Sequence, residues 1–347
     1  MSTEALSYAQ SGINIDKADA TKQEMKGSLE STNPRVMNTL GAFASLYDFH
    51  FPEMESPVMV LKMEEPGSKQ LLAAQHGKLA SVGYDLINHL INDTIMMGAR
   101  PLAIQDTIIC GELEKDVVVA LVDAMADACR KQGCDLVGGE TSEQPRVIPN
   151  GSYILSAACV GVVDRPKIVD GSQINEGDVV LAVASNGVHT NGYTLVRSLL
   201  DRKPELAEMK VGDLSFVEQV LLPHLCYNLP LQDALKRDGI HGLAHITGGG
   251  IVDNLQRVLP RTVSALIDLS QVEVLPIFQV IAQEGNVTHD DMLRTFNMGV
   301  GMIIVADKES VPFIQEAYQS HAHTVYPIGV IESGDGTVAC DGKLAIS

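Results

Sequence analysis

Tryptophan is absent from this chain and aromatic residues together make up only 4% of it. Its cores must therefore be filled by Val, Ile, Leu, Ala and Met, the materials of layered α/β proteins. Basic residues are also scarce: 25 Lys and Arg stand against 44 Asp and Glu, a formal net charge of −19. Duplex DNA and anionic membranes would repel such a surface, so neither nucleic acid nor membrane is an expected partner. Nucleotides are not excluded, because acidic proteins bind them through metal ions and backbone N–H groups. No apolar run is long enough to cross a bilayer, and the opening MSTEALSYAQ has no basic stretch followed by an apolar one. A cytosolic location is expected. Cys110, Cys129, Cys134, Cys159, Cys226 and Cys340 form no CxxC pair and mostly sit in apolar segments, which reads as reduced, buried thiols. No His or Cys cluster has ligand spacing, so zinc is not expected. GxxxxGK[ST], GxGxxG and GxSxG are missing too, which excludes a Walker A loop, a Rossmann fingerprint and a nucleophile elbow.

What is present is 347 residues with 45% apolar content, enough for two cores. The reading is α/β (α+β), divided into an arm or lid at 1–30, a first domain at 31–168 and a second at 169–347. The polar segment from Asp164 to Gly177 is the linker. Residues 1–30 are polar and weakly periodic, which argues against a core element. PVMVLKM from Pro57 reads as a strand that stops at EEPGSK, residues 64–69. A helix is predicted over 84–97, with Leu86, Ile87, Leu90, Ile91 and Ile95 toward a core. Its opposite stripe carries Asp85, His89, Asn92, Asp93 and Met96. Gly98 and Pro101 end that helix. Strands at 102–109, 134–138 and 153–164 and an amphipathic helix at 116–132 complete the first domain. In the second, strands fall near 178–184, 264–268, 299–306 and 325–331. Helices begin near Asn191 and run near 275–284, 289–296 and 309–320.

Four polar interruptions carry the chemistry. In GGETSE, residues 138–143, a Gly-Gly turn lets the backbone approach a ligand, and Glu140 and Glu143 follow as oxygen donors for Mg²⁺. EEPGSK and NDTIMMGARP, residues 92–101, add carboxylates at a strand end and on one helix face. SNGVHTNG at 185–192 and HITGGG at 245–250 each place a Gly-rich loop before a helix, a pattern suited to phosphate. Each has a plain counterpart: Lys26 and Lys69 as solvated surface lysines, Asp85 as a helix cap, His89 as a helix-surface group, His245 as a satisfied histidine, and Asn297 and Gly299 as turn chemistry.

Taken together in order, SYAQSGINID, GYDLINHLIND, Asp93 to Pro101 as D-x4-G-A-x-P, GCDLVGGETSE, SNGVHTNGYTLVR, HITGGG, RVLP and RTFNMGVGM resemble one family nearly end to end. It is the phosphoribosylformylglycinamidine cyclo-ligases, or aminoimidazole ribonucleotide synthetases, related to selenophosphate synthetase and thiamine-phosphate kinase. The resemblance implies a two-domain PurM-like fold, with an N-terminal sheet that forms an intersubunit barrel in a homodimer and a C-terminal α/β domain. It implies ATP and Mg²⁺ as cofactors and formylglycinamidine ribonucleotide as the small-molecule substrate. The γ-phosphate activates the formyl oxygen as an iminophosphate, and an amidine nitrogen closes the ring and expels phosphate, a step that needs charge neutralisation and positioning. Carried onto this sequence, Glu64, Asp93 and Glu140 are the expected metal ligands. Lys26, Lys69, Gly67, Asp93, Gly138, Gly139 and Glu140 are expected to hold ATP. Asn186, His189, Thr190, Asn191, Thr247, Gly248, Gly249 and Gly250 are expected at the substrate, with His189 and Lys26 as the catalytic pair.

The pattern departs at one place above all. Where the family carries T-D-G-V-G-T-K, this chain has M-E-E-P-G-S-K at residues 63–69, so Glu64 replaces an aspartate and Glu65 a glycine. Gln144 and Arg146 also stand in place of the family's usual Met and Gly. Two readings stay open: a working variant that uses Glu64, or a paralogue that keeps the fold and binds another ribonucleotide or phosphate ligand. Retention of the other segments favours the first.

Overall fold

The computed structural model describes residues 15–38 and 43–346. Residues 7–14 of SYAQSGINID lie outside them. The chain opens with helix α1 (Ile15–Leu29), then β1 (Pro57–Glu64), α2 (Lys69–Gln75), α3 (Ser81–Ile95), β2 (Arg100–Cys110), α4 (Lys115–Lys131), β3 (Asp135–Glu143) and β4 (Tyr153–Asp164). The strands form a mixed sheet in the order β1-β4-β2-β3, with β2 and β3 parallel and the other neighbours antiparallel. Val118, Leu121, Val122, Met125 and Cys129 of α4 are buried, one stripe at helical spacing. Each such side chain contributes roughly 1.5–3 kcal/mol for the apolar surface it removes from water.

The second sheet is built from β5 (Val179–Ala184), β8 (Ile240–His245), β9 (Val263–Asp268), β10 (Val300–Ala306), β11 (Val325–Ser333) and β12 (Val338–Asp341), in the order β12-β9-β11-β5-β10-β8. The short strands β6 (Lys210–Val211) and β7 (Leu214–Ser215) pair separately. Helices α5 (Tyr193–Arg202), α6 (Phe216–Val220), α7 (Asn228–Ala234), α8 (Gly250–Gln256), α9 (Pro276–Gly285), α10 (His289–Thr295) and α11 (Val311–Gln319) complete this half. Every residue of β10 is buried, as suits an inner strand covered on both faces. Among the cysteines, five are buried thiols and Cys340 is exposed.

Of the segment read as an arm or lid at 1–30, the described part is helix α1, packed on α4 with Thr21 and Met25 buried. Ala18, Thr21, Met25 and Leu29 recur at i, i+3, i+7 and i+11, a stripe too thin to outweigh the surrounding charge in the sequence.

Helix α3 decides where the chemistry sits. Its apolar face packs inward as expected, but Asp85, His89 and Asn92 are buried as well. Their stripe docks the loop 222–227 of the second half. Asp85 Oδ1 accepts from the His224 N–H at 2.8 Å, Asn92 Oδ1 from the Tyr227 N–H at 2.9 Å, and Asn92 Nδ2 donates to Leu225 O at 2.8 Å. A polar stripe that would ordinarily face water is consumed by unpaired backbone groups of a neighbouring loop.

Candidate active site

Two separate places gather the residues singled out in the sequence. The first is a cavity of about 660 Å³ between α1, β2 and β3, lined by Lys22, Lys26, Asp106, Gly138, Gly139 and Glu140 among others. Its floor is bare backbone. A Cβ on Gly139 would lie 2.2 Å from Asp106 Oδ1, and Gly138, at φ +151°, would push one to 3.3 Å from Ser45 Oγ. Lys26 is exposed toward this space. Asp106 is buried, and desolvation pushes its pKa up to about 7.

The second place lies between the two sheets, where EEPGSK, the α3 stripe, SNGVHTNG and HITGGG converge. Glu64 ends β1, and Lys62, two residues earlier on the same strand face, reaches across to α3. Lys62 Nζ is 3.0 Å from Glu64 Oε2 and 2.8 Å from Asp93 Oδ2. Burial opposes the charge on Lys62, but the Asp93 and Glu64 carboxylates outweigh it and raise its pKa. Asp93 also accepts from His245, whose Nδ1 is 2.6 Å from Oδ1. Desolvation works to raise the Asp93 pKa, yet His245 and Lys62 hold it well below the usual carboxylate range.

Four imidazoles cluster here, and two of them, His245 and His89, face this carboxylate. His245 Nε2 is 3.1 Å from His224 Nε2, and Thr190 Oγ1 lies 2.9 Å from His89 Nδ1 and 3.3 Å from His224 Nδ1. His89 Nε2 faces Glu64 Oε2 at 3.8 Å and Asp93 Oδ2 at 3.9 Å. Burial, then the neighbouring His245, lowers the His89 pKa to about 4; burial also holds His224 and His189 well below the ordinary histidine value. The His189 ring stacks on His224 at 3.9 Å between centroids, and neither of its nitrogens has a hydrogen-bond partner.

The loops meet around this centre. The Cβ position of Gly67 would be 3.5 Å from Thr190 O, and that of Gly248 3.4 Å from Asn191 Oδ1. Asn254 Nδ2 ties HITGGG together through Thr247 O, Gly248 O and Gly250 O. Asn186 Nδ2 donates to Pro223 O, leaving its buried Oδ1 unpaired. Asn297 does more than shape its own turn: its Oδ1 accepts from the Gly299 N–H and from Ser185 Oγ, and its Nδ2 donates to Gly187 O, which ties the turn to the SNGVHTNG loop.

Several expectations need correction. Lys69 is no phosphate-facing cation: it is wholly buried, and its ammonium donates to Asp85 Oδ1 at 2.7 Å, His189 O at 3.1 Å and Leu222 O at 2.7 Å. All three donors are spoken for. Asp85 is accordingly an ion-pair partner and no helix cap. Glu140 does not join Glu64 and Asp93 within one chain. It stands on β3, at the opposite edge of the sheet from β1, three strand spacings or about 14 Å away. His89 is buried, 6% exposed, where a surface group was expected. His189 is buried beneath His224 and does not stand open to a ligand.

Sequence reasoning missed Lys62 and His224. Strand alternation from Glu64 places Lys62 on the same face, so its signal was present; His224, in an irregular loop, left none.

The nitrogen-rich centre does not suit Mg²⁺, which demands oxygen donors in near-octahedral array. The Lys26 cavity, with bare glycine backbone, two lysines and a volume within the usual range for small-molecule sites, does suit a nucleotide.

Two family models match the sequence: the N-terminal domain of AIR synthase related proteins over residues 56–163 and their C-terminal domain over 175–341. Fold and loops alike thus define an AIR synthase related protein. A phosphoribosylformylglycinamidine cyclo-ligase of Neisseria meningitidis serogroup C is 38% identical over 339 residues, 97% of this chain and 98% of its own. One from Nitrosococcus oceani is 37% identical over 334 residues, 95% and 93% of the two chains. The chain belongs to the phosphoribosylformylglycinamidine cyclo-ligase family. Among solved structures it is similar in fold to the hydrogenase maturation protein HypE in complex with ATP, at TM-score 0.66, 16% identity and 93% and 89% coverage. Thiamine-monophosphate kinase from Stenotrophomonas maltophilia gives TM-score 0.65 at 17% identity, with 96% and 98% coverage. No helix among the described residues is long and apolar enough to cross a membrane.

Proposed function

We propose that this protein is an ATP-dependent cyclo-ligase that closes formylglycinamidine ribonucleotide to aminoimidazole ribonucleotide in purine biosynthesis, in the cytoplasm. The observation that carries this reading is the 38% identity to a cyclo-ligase along almost the full length of both chains. ATP supplies the phosphoryl group that turns the formyl oxygen into a leaving group. Lys26 and the Gly138-Gly139 backbone hold its phosphates, and Glu140 on the same wall is the carboxylate for the accompanying Mg²⁺. Asn191, Thr247 and the Gly248–Gly250 loop, adjacent in space, hold the ribose phosphate of the substrate.

Thr190 and Asn186 act on the substrate side through the hydrogen-bonded centre, while His189, its ring stacked on His224 with no hydrogen-bond partner, supports that centre by packing. The division at residue 168 fits this scheme, since the two sheets share no strand. A homodimer is favoured by the outer face of β1, where Met59, Leu61 and Met63 are 49%, 70% and 66% exposed on an edge strand. Two such edges joining would close the barrel. Incubating the full chain with formylglycinamidine ribonucleotide, ATP and Mg²⁺ should release ADP, phosphate and the aminoimidazole product. Folded protein that binds a nucleotide without turning it over would instead point to the paralogue reading.

A further inference from the structure

The cluster between the sheets holds more nitrogen than a Mg–triphosphate reading can use. One ligand atom from each of His89, Asp93 and His245 lies within 4.8 Å of the other two. The outer hydrogen bonds of both rings are already in place. A metal needs the lone pairs of His89 Nε2 and His245 Nδ1. His89 Nδ1–H then donates to Thr190 Oγ1, His245 Nε2–H donates to His224 Nε2, and His224 Nδ1–H donates to the second lone pair of Thr190 Oγ1. Every ring stays neutral and every outer nitrogen has an acceptor, the arrangement that orients histidine ligands at metal centres.

Without a metal, His245 Nδ1–H donates to Asp93 and the cationic charge comes from Lys62, seated between Glu64 and Asp93. The two forms differ only in which nitrogens of His245 and His224 carry their protons and in where the Thr190 hydroxyl points. No proton has to leave. Lys62, on a strand edge with 35% of its side chain exposed, can swing out to water as an ion enters.

We propose that His89, Asp93 and His245 bind a divalent transition-metal ion of the zinc class, with Glu64 beside them as a further carboxylate and Lys62 as the cation displaced. Two imidazoles with a carboxylate match borderline ions such as Zn²⁺, Co²⁺ and Fe²⁺, and mismatch Mg²⁺. The site stands whether or not the chain is a cyclo-ligase, because it is defined by donors alone.

The test uses the full chain, stripped with a chelator and titrated with Co²⁺ in the absence of ATP and substrate. Visible d–d absorption is the readout, followed by competition with Zn²⁺ and with a large excess of Mg²⁺. One Co²⁺ per chain is expected, its bands removed by Zn²⁺ and untouched by Mg²⁺. His89→Ala and His245→Ala should each weaken binding at least about tenfold, whereas Lys62→Met, which removes the competing ammonium, should tighten it. Absence of the bands in the wild type, displacement by Mg²⁺, or equal affinity in folded His89→Ala would overturn the proposal. Should the histidine variants fail to fold, Lys62→Met decides: Zn²⁺ affinity that is unchanged or weaker refutes the displacement on which the site depends.

Discussion

Lys69 Nζ lies 2.7 Å from Asp85 Oδ1, and neither side chain has any exposed surface. The pair locks the first turn of α2 to α3, and the same ammonium reaches His189 O and Leu222 O of the second half. Burial pushes the lysine pKa down and the aspartate pKa up, against their mutual attraction. Breaking one partner leaves a buried uncompensated charge. Lys69→Met should therefore cost about 3–5 kcal/mol of unfolding free energy, and Lys69→Met with Asp85→Leu should recover much of it. Urea denaturation of the two singles and the double gives the coupling; additive losses would refute a functional ion pair.

Gly250 begins α8 at φ +66°, and a Cβ there would sit 1.8 Å from Leu293 O. Gly133 has a similar φ of +70° with nothing within 4 Å. Gly133→Ala therefore meets only the left-handed backbone strain, about 1 kcal/mol, while Gly250→Ala must also move the α10 backbone. A loss at Gly250 exceeding that at Gly133 by at least about 1–3 kcal/mol is expected in thermal melts; equal losses would mean the loop yields freely.

The element pattern was legible because apolar periodicity is strong in the α4 stripe and in β10. The site was legible only in parts. Loops such as HITGGG announce themselves through glycine, but which loops meet is decided by long-range pairing, and 156 residues separate His89 from His245 in the sequence. Lys69 was misread for a related reason. A lysine after Gly-Ser looks solvated until the fold supplies three buried acceptors around its ammonium. Glu140 and Glu64 carry the same carboxylate group, yet strand order puts the two on opposite edges, and no local pattern reports strand order.

Asp106 holds its proton more tightly folded than unfolded, with a pKa raised from 3.8 to about 7 by burial. Its contribution is therefore fully present below the ordinary aspartate range and is lost as pH rises toward the folded value. From this group, stability should fall by up to about 1.4 kcal/mol per pH unit between roughly pH 4 and 7 and then level off. Asp106→Asn should remove that slope and be the more stable form at pH 8. Parallel pH profiles for the two proteins in denaturant titrations would argue that the carboxyl is already ionised below neutrality.

Lys26 is exposed on α1 beside Gly138, Gly139 and Glu140. Because its side chain supports no core, Lys26→Ala should leave unfolding free energy within about 0.5 kcal/mol of the parent. Loss of one charged contact to phosphate should raise the KM for ATP by roughly ten- to a hundredfold, as expected for a charge-assisted hydrogen bond of about 1.5–3 kcal/mol. Unchanged steady-state kinetics in ATP would move the nucleotide out of this cavity.

Met59, Leu61 and Met63 alternate along β1 with Val58, Val60 and Lys62, so one face of an edge strand carries large apolar side chains into water. Phe51 and Leu102 cover this face only around Val162, the partner of Met59, and among the described residues Leu61 and Met63 stay largely exposed; the neighbouring β4 adds Ile154, 46% exposed. A second copy of the strand would cover it and pair its free backbone groups. Leu61→Glu with Met63→Glu would bury four unpaired carboxylates in such a contact, two from each copy, at about 1–3 kcal/mol each. The same substitutions in an isolated chain would face solvent and cost little. Sedimentation should show the parent at twice the chain mass and the double variant dissociating at protein concentrations at least roughly a thousandfold higher, with unchanged circular dichroism. A parent of single-chain mass, or a variant that stays paired, would assign this face to some other contact.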